Sequence, residues 1–173
     1  YAKGETGTRF TLKLRPAPYF NETRQFGDYL RQALAEIGID AELVNADSAA
    51  HQKAVYTDHD FDLAVAPPVF RGDPAISTTI LVQSGIPAGV GFSNQGGYAN
   101  TELDAVIAKA AETIDTTART DLYRQFQKLV AADLPLINVA EWGFITVARD
   151  SVLNVASNPR WAVSNWADTA LKA

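Results

Sequence analysis

The sequence predicts an α/β fold from three strand patterns that alternate with two helical patterns. Phe10, Leu12 and Leu14 alternate with polar residues, which is the period-2 pattern of a strand with one buried face. Residues 41–44 and 61–66 form two further short apolar runs. Strand–helix–strand–helix–strand order predicts a βαβαβ core with flanking helices, arranged as three α/β/α layers around a parallel sheet.

The two connecting segments have helical spacing. Apolar residues from Phe26 to Ile37 recur every three or four positions, Asn21 is the predicted N-cap and Gly38 the predicted stop. Residues 49–56 form the second predicted helix. The run at 61–66 is apolar on both faces, so we expect it to be the central strand of the sheet.

Beyond this core we expect helices, a loop and more extended structure. Residues 76–84 are predicted to be helical, and the glycine- and asparagine-rich segment 85–97 is predicted to be a surface loop. That segment lacks the glycine spacing of phosphate-binding loops, which argues against a nucleotide site.

Two helices and an extended segment are predicted for the C-terminal half. Thr101 and Asp104 resemble a capping box at the first helix, and the second spans about residues 117–132. Residues 134–139 predict a strand entered through a proline, and 144–147 continue in extended form.

Composition places the chain among globular proteins and excludes several partners. Its 173 residues are 47% hydrophobic and 20% charged, enough for one domain or lobe with a real core. A net charge of −5 argues against binding to nucleic acid or an anionic membrane. Cysteine is absent, so a thiolate metal site is excluded.

Two observations predict that the chain was excised from a longer protein. Methionine is absent, even at the start, where Tyr1 stands. Trp161 and Trp166 lie in a polar, proline-containing tail, where large aromatic residues need a surface to cover. The alternative is a processed mature protein.

No residue pattern predicts catalysis or a bound cofactor. His51 and His59 lie near Asp58 and Asp60, but a zinc or iron site needs three or four ligands that converge, so both histidines are interpreted as solvated surface residues. Nucleophile motifs are absent.

Ligand binding is better supported. In open α/β sheets, ligands bind beyond the carboxyl ends of the strands. Asp73 and Glu141 follow predicted strands and are the carboxylates positioned to face a cleft. The stretch VAPPVFRGDP, residues 65–74, leaves the third strand in this way. Phe70 is suited to stack on a ligand and Arg71 to hold a carboxylate, although a stiff turn with Phe70 in the core and Arg71 solvated fits equally well.

The segment YANTELDAVIAKAAETIDTTARTDLYRQFQKLVAADLPLINVAEW, residues 98–142, resembles the C-terminal part of the family 5 extracellular solute-binding proteins. These are the peptide-, nickel- and opine-type receptors of ABC importers. Upstream, FDLAVAPPVFRGDP and LRQALAEIGIDAELV resemble other elements of the same lobe, so the resemblance covers nearly the whole chain. The matching residues of the first segment are Tyr98, Asp104 to Ile107, Arg119, Leu122, Tyr123, Gln127, Asp133 and Pro135.

The resemblance implies a periplasmic-binding-protein-like lobe without catalytic activity. Residues 1–173 would form a single C-terminal lobe, with about 140–173 as interlobe crossing and tail. The partners implied are a small-molecule solute, a missing N-terminal lobe of the same chain and an ABC permease in the membrane, with a periplasmic location. No cofactor and no metal is implied, since neither histidine lies near the cleft segments.

The expected solute differs from an ordinary peptide. Peptide-binding members carry an aspartate for the peptide's amino group in the turn after the third strand, and the position that matches it here is Phe70 or Arg71. A carboxylate-bearing solute, an opine-like or amino-acid conjugate, or a sugar therefore fits better. The predicted ligand-binding residues are Pro68, Val69, Phe70, Arg71, Asp73, Asn138 and Trp142.

Three alternatives remain open at this point. The same lobe can serve as the sensor of a transcriptional regulator, or as part of a peptide receptor with a non-standard anchor. A small flavodoxin-like enzyme is the third, and the missing phosphate loop disfavours it.

Overall fold

The structure is a computed structural model that describes residues 7, 10–67, 72–141, 145–155 and 166–172. The chain divides into two compact units, Tyr1–Pro135 and Leu136–Ala173. Among the described helices, none combines the length and apolar character needed to cross a bilayer.

A three-stranded parallel sheet organises the first unit. Its strands are β1 (Phe10–Pro16), β2 (Ile39–Leu43) and β3 (Leu63–Val65), in the order β2-β1-β3. The connecting helices are α1 (Asn21–Glu36) and α2 (Ser48–Tyr56). The predicted βαβαβ core is therefore confirmed.

The two faces of β1 carry different side chains, because alternate residues of a strand point in opposite directions. Pro16 faces α1, where a Cβ added to Gly27 would lie only 3.1 Å from the Cβ of Pro16, so the glycine allows the close approach of helix and sheet. Lys13 and Arg15 both pair with Asp60, in the segment that follows α2. Right-handed crossovers in this strand order put α1 and α2 on opposite faces, as a three-layer arrangement requires.

The prediction of a central third strand was wrong. β1 lies between its two neighbours, and Leu14 in it is fully buried, whereas β3 pairs only with β1 among the described strands and leaves Leu63 38% exposed. The charged residue Arg15 made β1 look like a strand with one solvent-exposed face, so its central position was not predicted. It is buried because its guanidinium donates to the Asp60 carboxylate and main-chain carbonyl.

The boundaries of α1 are determined by residues on either side of the helix. Asn21 is its first residue and not its N-cap, which is Phe20; the Thr23 hydroxyl lies 2.6 Å from the Ala17 carbonyl oxygen. Gly38 ends the helical segment as predicted, with a φ of 78° and an amide that donates to the Ala35 carbonyl.

The helix predicted at residues 76–84 is replaced by two single turns of 3₁₀ helix, Pro74–Ile76 and Thr79–Leu81. Asp73 caps the first turn by accepting a hydrogen bond from the Ala75 amide at 2.9 Å. Residues 85–97 contain only turns and irregular structure, which confirms the predicted loop.

A helical pair, α3 (Thr101–Glu112) and α4 (Thr116–Asp133), completes the first unit. The predicted capping box was wrong: Asn100 is the N-cap and accepts from the Leu103 amide at 3.0 Å. Asp104 instead accepts hydrogen bonds from the amide and hydroxyl of Ser84. The buried residues of the pair are Leu103, Val106, Ile107, Ala110 and Phe126.

The second unit lacks the strand predicted at residues 134–139. Leu134 adopts a left-handed φ of 48° as the C-cap of α4, and residues 137–140 pair with no described strand. Residues 145–149 form no strand either. The described pairing is antiparallel, between β4 (Val152–Leu153) and β5 (Ala170–Leu171). Phe144 and Trp161 lie outside the described residues, and Trp166 is 49% exposed.

Candidate ligand-binding site

The carboxyl edge of the parallel sheet is the candidate site, since the loops that follow all three strands leave it there. The Ala17 amide donates to the Val65 carbonyl at 2.8 Å, and the Val44 amide to the Leu14 carbonyl at 2.9 Å. These bonds continue the ladder one residue past the strand ends and bring residues 17–20, 44–47 and 66–67 to a common edge.

Two of the seven predicted ligand-binding residues lie in the described part of the chain. Asp73 belongs to the first unit, and Asn138 is an exposed residue of the second, as is Glu141. The other five predicted residues, Pro68, Val69, Phe70, Arg71 and Trp142, lie outside the described residues.

Asp73 forms a two-pronged ion pair with Arg119 of α4. The Arg119 Nη1 and Nη2 atoms each lie 2.8 Å from one carboxylate oxygen of Asp73. These hydrogen bonds, with the one from the Ala75 amide, lower the pKa of the Asp73 carboxyl. The bonds to Asp73 also raise the pKa of Arg119. The carboxylate thus anchors the end of the loop that follows β3.

Arg119, a residue of α4, contacts both α3 and the segment that follows β3. Besides Asp73, it donates from Nε to the Ala110 carbonyl of α3 at 3.0 Å. Its guanidinium also lies 5.4 Å from the ring centre of Tyr123, one turn further along α4. The segment after β3 is therefore attached to both helices of the pair.

A second set of contacts joins the residues before α3 to the last residue of α4. The Tyr98 hydroxyl donates to the Asp133 carboxylate at 2.6 Å, and the Asn100 amide donates to the same oxygen at 2.9 Å. Both bonds lower the pKa of Asp133. Five of the residues that carry the family resemblance, namely Tyr98, Asp104, Arg119, Tyr123 and Asp133, thus take part in contacts that hold this unit together.

An aromatic cluster beside α2 was not predicted. Tyr19, which follows β1, contacts Phe92 of the long loop with ring centres 5.7 Å apart. The cluster also contains Tyr56, whose ring lies 6.3 Å from that of Phe92, and His51, 5.9 Å from Tyr19. The sequence signal was the spacing of His51 and Val55, which puts both on one face of α2.

The interpretation of His51 as a solvated surface residue was wrong. Its side chain is 1% exposed, and neither ring nitrogen has a hydrogen-bond partner among the described residues. Burial first, and the positive charge of Arg15 second, lower the pKa of this imidazole. His59, in contrast, is exposed, and its Nδ1 lies 2.9 Å from the Gln95 carbonyl oxygen.

Two other features of the described residues lie outside this edge. An open groove of about 320 Å³ between α3 and α4 is lined by Lys109, Thr113, Ala118, Asp121, Leu122 and Gln125. Across the described chain, no three histidine, aspartate or glutamate side chains converge as a metal ion would require.

Comparison with known proteins gives matches at the level of structure. Neither a family model nor a curated protein sequence matches the chain. AppA from Clostridium difficile, named for peptide binding, superposes with a TM-score of 0.72 over 98% of this chain, at 18% identity. The chain has a periplasmic-binding-protein fold.

Other binding proteins match most of this periplasmic-binding-protein fold. The protein AgaA from A. tumefaciens R10, solved with agropinic acid, has a TM-score of 0.64 and 19% identity over 74% of the chain. The ABC transporter substrate-binding protein CtaP from Listeria monocytogenes has a TM-score of 0.59 and 26% identity over 71%. The chain spans 34% of the length of AppA, 26% of AgaA and 24% of CtaP.

Proposed function

We propose that the chain is a ligand-binding lobe of an ABC importer's solute-binding protein. The observation that carries this proposal is the superposition of nearly the whole chain on part of a larger binding protein. A parallel sheet with three loops at its carboxyl edge supports the same function, because such an edge is where open α/β folds hold small molecules.

The proposed receptor has two lobes, and residues 1–173 form one of them. The matched proteins are about three times as long as this chain, which leaves room for a second, larger lobe. Residues from about 140 onward would form the interlobe crossing and tail. The receptor would work outside the cytoplasm, close on its solute by a hinge motion and deliver it to a membrane permease.

Phe70 and Arg71 are the proposed solute contacts after β3, with Pro68 and Val69 beside them and Asn138 and Trp142 as further contacts. Both described ends of that segment are well anchored: Pro67 is buried, and Asp73 is bonded to Arg119. We assign Asp73 to positioning the segment, because both its oxygens already accept hydrogen bonds within the protein.

The proposed solute carries a carboxylate. Arg71 would hold it by paired hydrogen bonds, whereas the ammonium group of a peptide would be repelled by the same cation. Agropinic acid in AgaA is an acid bound by a protein of this fold. An ordinary peptide is the second candidate, favoured by the name of AppA.

The test is the substitution Arg71→Ala in the full receptor. Loss of a charged hydrogen bond is expected to weaken the binding of an acidic solute by about 1.5–3 kcal/mol, measured by calorimetry. Arg124→Ala is the matched control, because Arg124 is an exposed arginine of α4 paired with Asp121, and its loss leaves the affinity unchanged. Equal affinity of the wild type and Arg71→Ala would exclude the assigned role.

A thermal-shift screen distinguishes the candidate solutes. Opines, sugars, amino-acid conjugates and peptides are added in turn, since a ligand that binds only the folded state raises the melting temperature. Stabilisation by acidic conjugates supports the proposal, whereas stabilisation by peptides alone favours the second candidate. A DNA-binding module preceding the lobe would instead indicate a sensor.

A further inference from the structure

We propose that protonation of His51 opens α2 locally, separating it from the loop that follows β1 while the parallel sheet stays folded. The imidazole and the Tyr19 ring form the contact that opens. Such an acid-sensitive contact goes beyond solute binding, because it is a property of this unit whatever solute the receptor takes.

His51 is buried without a polar partner. Its side chain is 1% exposed, and neither Nδ1 nor Nε2 has a hydrogen-bond partner among the described residues. The imidazole and the Tyr19 ring meet edge to face, with centres 5.9 Å apart and planes 85° apart. A protonated imidazole carries a full charge and two N–H donors, and burying these without acceptors costs free energy. The closed contact therefore requires a neutral imidazole.

The elements packed around the imidazole offer it no counterion. β1 contributes Arg15, a buried cation whose positive charge acts on the imidazole. The loop after β1 contributes Tyr19, a neutral phenol whose pKa is raised by burial. The nearby carboxylate of Asp60 is already paired with Arg15 and Lys13. A proton added to His51 thus meets a like charge and no compensating anion.

Neither α2 itself nor the long loop beside it changes this balance. Residues 85–97 include no charged side chain. The Asp47 carboxylate, at the N-cap of α2, is exposed and accepts from the Ala50 amide at 2.8 Å. Lys53 is exposed and paired with Asp58. Tyr56 is buried, which raises the pKa of its hydroxyl and keeps it neutral.

α2 can open without disturbing the sheet. The helix has nine residues and lies outside the strand pairings, which join β1 to β2 and to β3. The Gly89 amide donates to its Tyr56 carbonyl, and the Asp60 amide to its Ala54 carbonyl. The buried side chain of Val55 opposes opening at neutral pH. A helix this short is not stable by itself, so it is expected to open as one unit when its packing is weakened.

Hydrogen exchange of the full receptor, followed by mass spectrometry, tests the opening. Protection factors, corrected for the pH dependence of intrinsic exchange, are compared between pH 7 and pH 5 for peptides that cover residues 48–56. The protection of these amides is expected to fall below pH 6.5, the ordinary pKa of the imidazole, by at most about tenfold per pH unit. The limit arises because one proton is taken up for each opening.

The dependence on urea distinguishes local opening from global unfolding. Local opening exposes little surface, so the protection of α2 is expected to respond weakly to low concentrations of urea. Peptides that cover β1 are expected to be better protected than α2 at the same pH and to respond more steeply to urea.

Variants assign the effect to one residue. His51→Phe keeps a ring that cannot be protonated, and α2 is then expected to have the same protection at pH 7 and pH 5. His51→Leu is a second apolar variant with the same expectation, and the melting temperature shows whether each variant is folded. His59→Asn is the control, because it changes an exposed histidine with a φ of 51° and keeps the pH dependence.

Three results would overturn the proposal. The first is equal protection of α2 at pH 7 and pH 5 in the wild type. The second is a loss of protection at pH 5 that persists in both His51→Phe and His51→Leu. The third is an equal response of α2 and β1 to urea, which would show that the helix opens only when the whole protein unfolds.

Discussion

His51 places an imidazole in the interior of the first unit, against the ring of Tyr19 and near the guanidinium of Arg15. The titratable side chains that contact this ring or act on it are Tyr19 and the cation Arg15. Neither of them stabilises a protonated imidazole. A folded protein with neutral His51 is therefore favoured over one in which the ring is charged.

The lowered pKa of His51 predicts a pH dependence of stability. In the unfolded chain the imidazole titrates near its ordinary value of 6.5, and in the folded chain below it. Stability from this group is complete above pH 6.5 and is lost as the pH falls below it, because the unfolded state then binds more protons. The slope is at most about 1.4 kcal/mol per pH unit.

The measurement is urea unfolding of the wild type and His51→Phe between pH 7 and pH 5. The variant is expected to lose the slope, and His59→Asn, which changes an exposed histidine with a φ of 51°, is expected to keep it. Asp60, Asp73 and Asp133 have lowered pKa values and so act only at lower pH, as the medium approaches their ordinary value of 3.8. An unchanged slope in His51→Phe would contradict this account.

The burial of some single residues could not be predicted from the sequence pattern. The alternation of β1 predicted that Arg15 would face solvent, yet it is buried, because Asp60 neutralises it. Asp60 lies 45 residues away along the chain, so no local pattern reveals the pair. The burial of His51 was missed for a similar reason, since Tyr19 belongs to another loop.

At the scale of elements, the helical pair serves as the support of the candidate site. Arg119 connects α3 and α4 with the segment that leads away from β3. The family resemblance rests partly on these residues. Its motifs therefore report on how the elements are held together, while the solute would be selected by residues of the loops.

Arg119→Gln tests this support. Loss of the guanidinium leaves Asp73 without its partner and removes the link between the helical pair and the segment after β3. The melting temperature is therefore expected to fall by roughly several degrees. Arg124→Gln, in the same helix, breaks a pair in which both side chains are largely exposed, and little change is expected. Equal melting temperatures for the two variants would contradict a supporting role for Arg119.

Elements were predicted well where local patterns decide them. The spans of α1, α2, α3 and α4 agree with the sequence to within one or two residues, because helical spacing and stop signals are local. Strand roles were predicted less well: a strand exists only with a partner, and the apolar run at 134–139 has none among the described residues.

At the scale of the whole molecule, the proposed cleft between two lobes predicts that one lobe alone binds the solute weakly. A ligand in such a cleft is buried on most sides, and one lobe removes only part of that surface from water. Residues 1–173 are thus expected to bind the acidic solute at least about tenfold more weakly than the full receptor in calorimetry. Equal affinity would contradict a shared cleft.

The sequence by itself determined the α/β class, the βαβαβ order, the positions of the four helices and the segment in which to look for a solute. These follow from hydrophobic spacing and from turn residues, which act over a few positions of the chain. The ligand roles of the seven predicted residues stay predictions.

Only the tertiary structure decided which strand is central, that Asp73 pairs with Arg119, and that Tyr19, His51, Tyr56 and Phe92 form one cluster. Each of these depends on contacts between residues tens of positions apart. Such contacts form when the sheet and its helices pack, and the local spacing of residues in the sequence does not reveal them.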